Sequence, residues 1–174
     1  LLKRAGQSFG AREPVARARC ILAEAEIALV SRDLGWPPKA LDAARVVLEA
    51  YGDRLNAAHA RTIEVRRLLL IGRLGEAERV LAGFDEAPLP PALEAARALA
   101  IGGIALRRLQ AEPARTAFAL AADAAVRARI PALVAEVEAA ARVLEAPAAR
   151  LIVCGEARPL MLGEVAALLA SGSF

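Results

Sequence analysis

The sequence predicts an all-α protein of stacked antiparallel helical hairpins, about seven helices, followed by a short C-terminal β-hairpin and one more helix. Three observations carry this. Apolar residues recur at steps of three and four along most of the chain, the spacing of one face of a helix. Ala supplies much of a 57% hydrophobic content while aromatics are only 3%, which favours closely approaching helices over a large-residue core. The chain also echoes itself. Leu41-Asp-Ala-Ala44-Arg-Val-Val-Leu48-Glu-Ala-Tyr51 aligns with Leu74-Gly-Glu-Ala77-Glu-Arg-Val-Leu81-Ala-Gly-Phe84 and with Ala111-Glu-Pro-Ala114-Arg-Thr-Ala-Phe118-Ala-Leu-Ala121. Each copy has a small Ala, a large apolar residue four later and an apolar residue three after that. The three alanines lie 33 and 37 residues apart, a period at which no single unit buries its own apolar face.

Residues 1–10 are polar and Gly-containing, and are expected to be frayed. Pro14 opens the first helix, where its missing N–H does no harm. Val15, Ala18, Leu22, Ala25 and Leu29 form its stripe, and it ends near 31–35. Pro37-Pro38 starts the second, with Leu41, Ala44, Leu48 and Tyr51 on one side and Gly52-Asp53 as its stop. The third runs over 54–71 and ends at Gly72. Gly75 is expected to permit a tight turn into the fourth, 74–83. Three prolines within 85–91 make the clearest break in the chain. The fifth helix, 92–109, carries Gly102-Gly103. Such a pair costs about 1–2 kcal/mol relative to Ala and so implies close helix approach, or else a hinge or ligand contact. Pro113 opens the sixth, which reaches about Arg129. Ile130-Pro131 separates it from a seventh that ends near Glu145, before Pro147.

The character then changes. Residues 150–154 and 158–162 read as short strands around a Gly155-Glu156 turn, and 163–170 as an amphipathic helix. We therefore expect a helical-repeat domain over 1–147 and a small α/β tail over 148–174 that starts a second domain. A domain begun there would expose Leu160, Leu162, Val165 and Leu169 as an apolar patch, with a homodimer through this end as an open alternative.

Ala98-x2-Ile101-Gly102-x2-Ala105 followed by Ala114-x3-Phe118 resembles the tetratricopeptide repeat, and its Gly-to-Ala gap of 12 residues fits that family. The second copy has Val65 in place of the Gly but keeps Ala77-x3-Leu81. The family's Trp, Tyr and final Pro are mostly missing, and the resemblance covers about 13–130. It implies a right-handed solenoid whose first helices line a partner groove. Those positions are His59, Thr62 and Arg66 in one hairpin and Leu99, Gly103, Leu106 and Arg107 in the next. Such a lining suits an amphipathic helix or an acidic-hydrophobic peptide. The tail resembles the opening of a winged-helix effector domain of a bacterial transcription regulator. The implied role is a regulatory protein-interaction domain that holds a protein or peptide partner or its own missing output domain. A stand-alone scaffold or adaptor, and a small-ligand sensor near Gly102-Gly103, are the alternatives.

Little in the sequence points to chemistry. His59 is the only histidine, and Cys20 and Cys154 are far apart with no ligand spacing, so no catalytic, cofactor-binding or metal site is expected. Glu24/Glu26 and Glu136/Glu138 lie two apart and diverge on a helix. All but two of the 23 basic residues are Arg, which with the abundant Ala suits a GC-rich bacterial genome. The net charge of +3 is dispersed among acidic residues, and no recognition helix is visible; we expect no direct DNA recognition by residues 1–174. No apolar run reaches spanning length, so a cytoplasmic protein with no membrane partner is expected. Leu1 and the 171–174 end suggest a piece of a longer polypeptide.

Overall fold

The computed structural model describes Phe9 and residues 13–84 and 88–172; the expectation for 1–10 falls almost wholly outside them. The chain divides into two compact units, Leu1–Pro88 and Leu89–Phe174. The division falls in the proline-rich break. Residues 148–174 lie within the second unit.

The first unit holds α1 (Pro14–Val30), α2 (Pro38–Ala50), α3 (Arg54–Leu70) and α4 (Leu74–Ala82). Prolines stand at the first helical position of α1 and α2, where no N–H is needed. Asp53 caps α3, accepting from the Asn56 amide at 3.4 Å. The α1 stripe is buried at Ala18, Leu22, Ala25 and Leu29, and packs with Leu41, Ala44 and Leu48 of α2 and with Ala57, Ala60 and Ile63 of α3. Helix α3 thus seats against both α1 and α2. A fully buried Leu such as Leu48 contributes about 1.5–3 kcal/mol. Tyr51 departs from the expected stripe and is 65% exposed, because α2 ends at Ala50 and helical phase is lost there.

The helix ends share one device. Asp33 N–H donates to Ala28 O (2.8 Å), Asp53 to Leu48 O (2.8 Å), Arg73 to Leu68 O (2.9 Å) and, in the second unit, Gln110 to Ala105 O (2.9 Å). Each bond closes over a left-handed residue: Arg32, Gly52, Gly72 and Leu109. The turn before α4 therefore uses Gly72, not Gly75, whose φ is not in the left-handed region.

The second unit holds α5 (Pro91–Arg107), α6 (Ala111–Ala128), α7 (Pro131–Ala141), a 3-10 turn (Arg142–Glu145), β1 (Ala149–Val153), β2 (Glu156–Leu160) and α8 (Leu162–Ser171). Among the described residues, seven helices, a hairpin and a last helix match the expected class. Helices α2, α4 and α6 begin 36 and 37 residues apart. Ala44, Ala77 and Ala114, the repeated alanines, are 2%, 0% and 0% exposed. Pro113 lies in the first turn of α6 and does not begin it. Alanines dominate the α5–α6–α7 core: Ala95, Ala98, Ala121, Ala124 and Ala125 surround Val137. A second cluster joins Ala105, Ala114, Phe118 and Leu144.

The hairpin turns on Cys154-Gly155, one residue earlier than expected, with φ of +52° and +86°. Two positive φ angles in a two-residue loop match the twist of the flanking strands. Leu160 is 4% exposed and Leu162 packs against the Phe118 cluster, so neither belongs to an exposed patch. Of the expected patch Leu169 alone is exposed and Val165 is half-buried; the other exposed large apolar residues of the tail are Ile152, Val153 and Met161. Glu164 accepts from the Met161 N–H (2.8 Å) and pairs with Arg158 (2.7 Å), which holds its carboxyl below the ordinary value and ties β2 to the start of α8.

Candidate interaction groove

The seven residues expected to line a groove divide between the two units. His59, Thr62 and Arg66 lie on α3; Leu99, Gly103, Leu106 and Arg107 lie on α5. Thr62 does not line a surface: it is 3% exposed and its hydroxyl donates to Ala58 O at 3.0 Å. A core-facing Thr satisfies its hydroxyl on its own helix because no water reaches it. His59 Nε2 lies 3.5 Å from Glu26 Oε1, linking α3 to α1. Arg66 is half-buried. On α5, Leu99 packs against both apolar clusters and Leu106 against the Phe118 cluster, and both leucines are half-buried. Arg107 folds back along its helix and donates to Gly103 O at 2.9 Å. The ligand-sensor alternative placed a pocket at Gly102-Gly103, but the Phe118 ring occupies the space beside Gly102.

An open recess lies elsewhere in the first unit. The first turns of α1 and the middle of α2 enclose an open groove of about 330 Å³, lined by Pro14, Arg17, Ala18, Ile21, Ala43, Ala44 and Val47. Its floor is low because Ala18, Ala43 and Ala44 are small; Ile21 and Val47 supply larger apolar surface. Among the described residues Arg17 is the one charged lining residue, and it is exposed. The positions follow from helix geometry. Arg17 and Ile21 are four apart on α1, and Ala43 and Val47 four apart on α2, so each pair faces one way. Sequence reasoning assigned Ala18 and Ala44 to the core stripe and did not single out Ile21 or Val47. The available signal was Val46-Val47-Leu48, three consecutive apolar residues that cannot all face one core.

The polar surface of the first unit is organised around arginine. Arg45 pairs with Asp42 and, at 2.8 Å, with Glu49; Arg61 donates to Glu49 (2.8 Å) and to Gly83 O (2.6 Å). This links α2, α3 and the end of α4. Arg19 of α1 grips Asp53 at 2.7 and 2.8 Å. Burial would raise the Asp53 carboxyl, but hydrogen bonds from Asn56 and Arg19 outweigh it and hold the carboxyl below its ordinary value. These groups fasten helices together; their partners are already inside the unit. Among the described residues no group of three or more His, Cys, Asp or Glu gathers at metal-binding distance, and no helix is long and apolar enough to cross a membrane.

No family model matches the chain, and no curated protein or solved structure matches it.

Proposed function

We propose that this chain is a protein-interaction domain of the tetratricopeptide-like kind, belonging to a bacterial regulator, and that it holds an amphipathic helix of a partner or of the regulator's own output domain. The single observation that carries the reading is that the second helices of successive hairpins, α2, α4 and α6, begin 36 and 37 residues apart, with buried alanines at the repeated positions. Surfaces built this way recognise other chains by laying apolar side chains into shallow grooves between helices. In the first unit the α1/α2 groove has that form: small residues below, Ile21 and Val47 beside, and a cation in Arg17 for an acidic neighbour.

The test is a nuclear magnetic resonance titration of the full chain with a helical peptide of leucine and glutamate heptads. Saturable shifts centred on Ile21 and Val47, abolished by Val47→Arg, are expected. A flat titration, or shifts spread evenly over the surface, would reject the groove as the recognition site.

The regulator part of the reading is supported by the order β1, β2, α8, a hairpin leading directly into a helix. On this reading residues 1–174 bind duplex DNA only weakly and without sequence preference, since base readout needs a positioned helix or ribbon in the groove. Sequence-discriminating affinity of this chain alone at physiological salt would contradict it.

A further inference from the structure

The two edges of the β-hairpin are not alike. Pro159 of β2 stands opposite Arg150 of β1. Proline has no N–H, so this pair cannot exchange two hydrogen bonds, and the bonded pairs are its neighbours: Ala149/Leu160, Leu151/Arg158 and Val153/Glu156. Two consequences follow. The outer edge of β2 lacks a donor at Pro159, which guards it against another strand. The outer edge of β1 presents the N–H and C=O groups of Arg150 and Ile152, and β1 itself holds no proline. Ile152 is 71% exposed and Val153 56%.

We propose that β1 is a dimerisation edge, pairing antiparallel with β1 of a second copy of this chain to form a four-stranded sheet. The strand is self-complementary about Leu151. In the two-fold register Arg150 faces Ile152 of the second copy, and Ile152 faces its Arg150. Those are the residues whose backbone groups point outward, so both pairs close with two hydrogen bonds each. No like charges oppose one another: the Arg150 stem lies beside an Ile. The new sheet ends on both sides in β2, whose outer edge Pro159 already guards, so the pairing stops at two copies and leaves no unguarded edge. The proposal rests on the hairpin alone and stands or falls separately from the helical-repeat reading.

The register makes a test that simple stickiness would not pass. Light scattering of the full chain over a concentration series is expected to show a monomer–dimer equilibrium. Ile152→Glu places a carboxylate beside Arg150 of the second copy twice over, and keeps or tightens the dimer. Ile152→Lys places like charges there and weakens it, by about tenfold relative to Ile152→Glu. Circular dichroism of both variants should match the parent. A chain monomeric at every concentration overturns the proposal. So does a dimer that both variants weaken equally, as generic apolar association would, or that neither changes.

Discussion

Phe118 of α6 fills the space that a side chain on residue 102 of α5 would need. A methyl on Gly102 would lie 2.6 Å from Cδ1 and 2.9 Å from Cζ of the ring, and nearer still to Cε1. Phe118 is 3% exposed and cannot swing into solvent. The helix-weakening Gly102 is therefore retained for packing. The small-on-large contact lets α5 and α6 approach closely along a face otherwise lined by alanines.

This contact reverses the sign of an ordinary substitution. Gly→Ala inside a helix normally stabilises by about 1 kcal/mol. Here Gly102→Ala should destabilise by about 1–3 kcal/mol, because the buried ring must move off its rotamer or the helices must separate. Combining it with Phe118→Leu should cost less than the two single changes summed, since the smaller side chain relieves the clash. Urea denaturation followed by circular dichroism measures all three; a more stable Gly102→Ala would show that the helices are not in contact there.

Arg32 offers a gain. It is exposed and sits at φ +55°, at the helix-ending position that Gly52 and Gly72 occupy elsewhere. A left-handed conformation costs a non-glycine residue about 1–2 kcal/mol, part of which glycine returns as unfolded-state entropy. Arg32→Gly should therefore stabilise by about 0.5–1 kcal/mol, and Gly52→Ala should destabilise by a similar amount. Thermal denaturation checks both, and a lower midpoint for Arg32→Gly would contradict the shared end motif.

The contrast shows what a single sequence can reveal. The stripe Ala18, Leu22, Ala25, Leu29 was readable because helical periodicity and burial are the same fact seen twice. Gly72 marked a helix end because glycine is the cheapest left-handed residue; Arg32 and Leu109 do the same work with no compositional signal. Gly75 misled for the same reason, being a glycine whose freedom the chain does not use. The groove positions on α3 and α5 came from aligning a repeat, which fixes neither phase nor cover: Thr62 turned inward, and Leu99 and Leu106 found partners. Leu160 was expected at the surface because the tail looked incomplete, yet it is buried within the second unit.

Asp53 couples a cap to an inter-helix ion pair. Its side chain is 13% exposed, accepts at the start of α3 and holds Arg19 of α1. Asp53→Ala should cost about 1–2 kcal/mol at neutral pH. The carboxyl titrates below its ordinary 3.8 in the folded chain, so the folded state binds the proton less tightly than the unfolded one. Its contribution is thus complete above 3.8 and disappears as pH falls through the lower folded value. The gap in midpoint between parent and Asp53→Ala should narrow only in that acid window. A gap that stays constant from neutral pH to below that window would show that the charge plays no part.

Glu64 should behave in the opposite sense. Burial on α3 pushes its carboxyl above the ordinary 4.5; Arg45, Arg61 and Arg67 pull it down without fully compensating, and Asp42 adds to the rise. The folded chain therefore binds this proton more tightly than the unfolded chain does. Ionising Glu64 costs stability, a cost that begins as pH rises past 4.5 and is complete above the folded value. Glu64→Gln keeps the shape and the neutral state at every pH. It should match the parent below about pH 4 and melt at a higher temperature at pH 7, the difference opening as pH rises past 4.5. Thermal melts at closely spaced pH values test this. A Glu64→Gln chain that melts lower than the parent at pH 7 would mean that the three arginines, not burial, dominate the environment of this carboxyl.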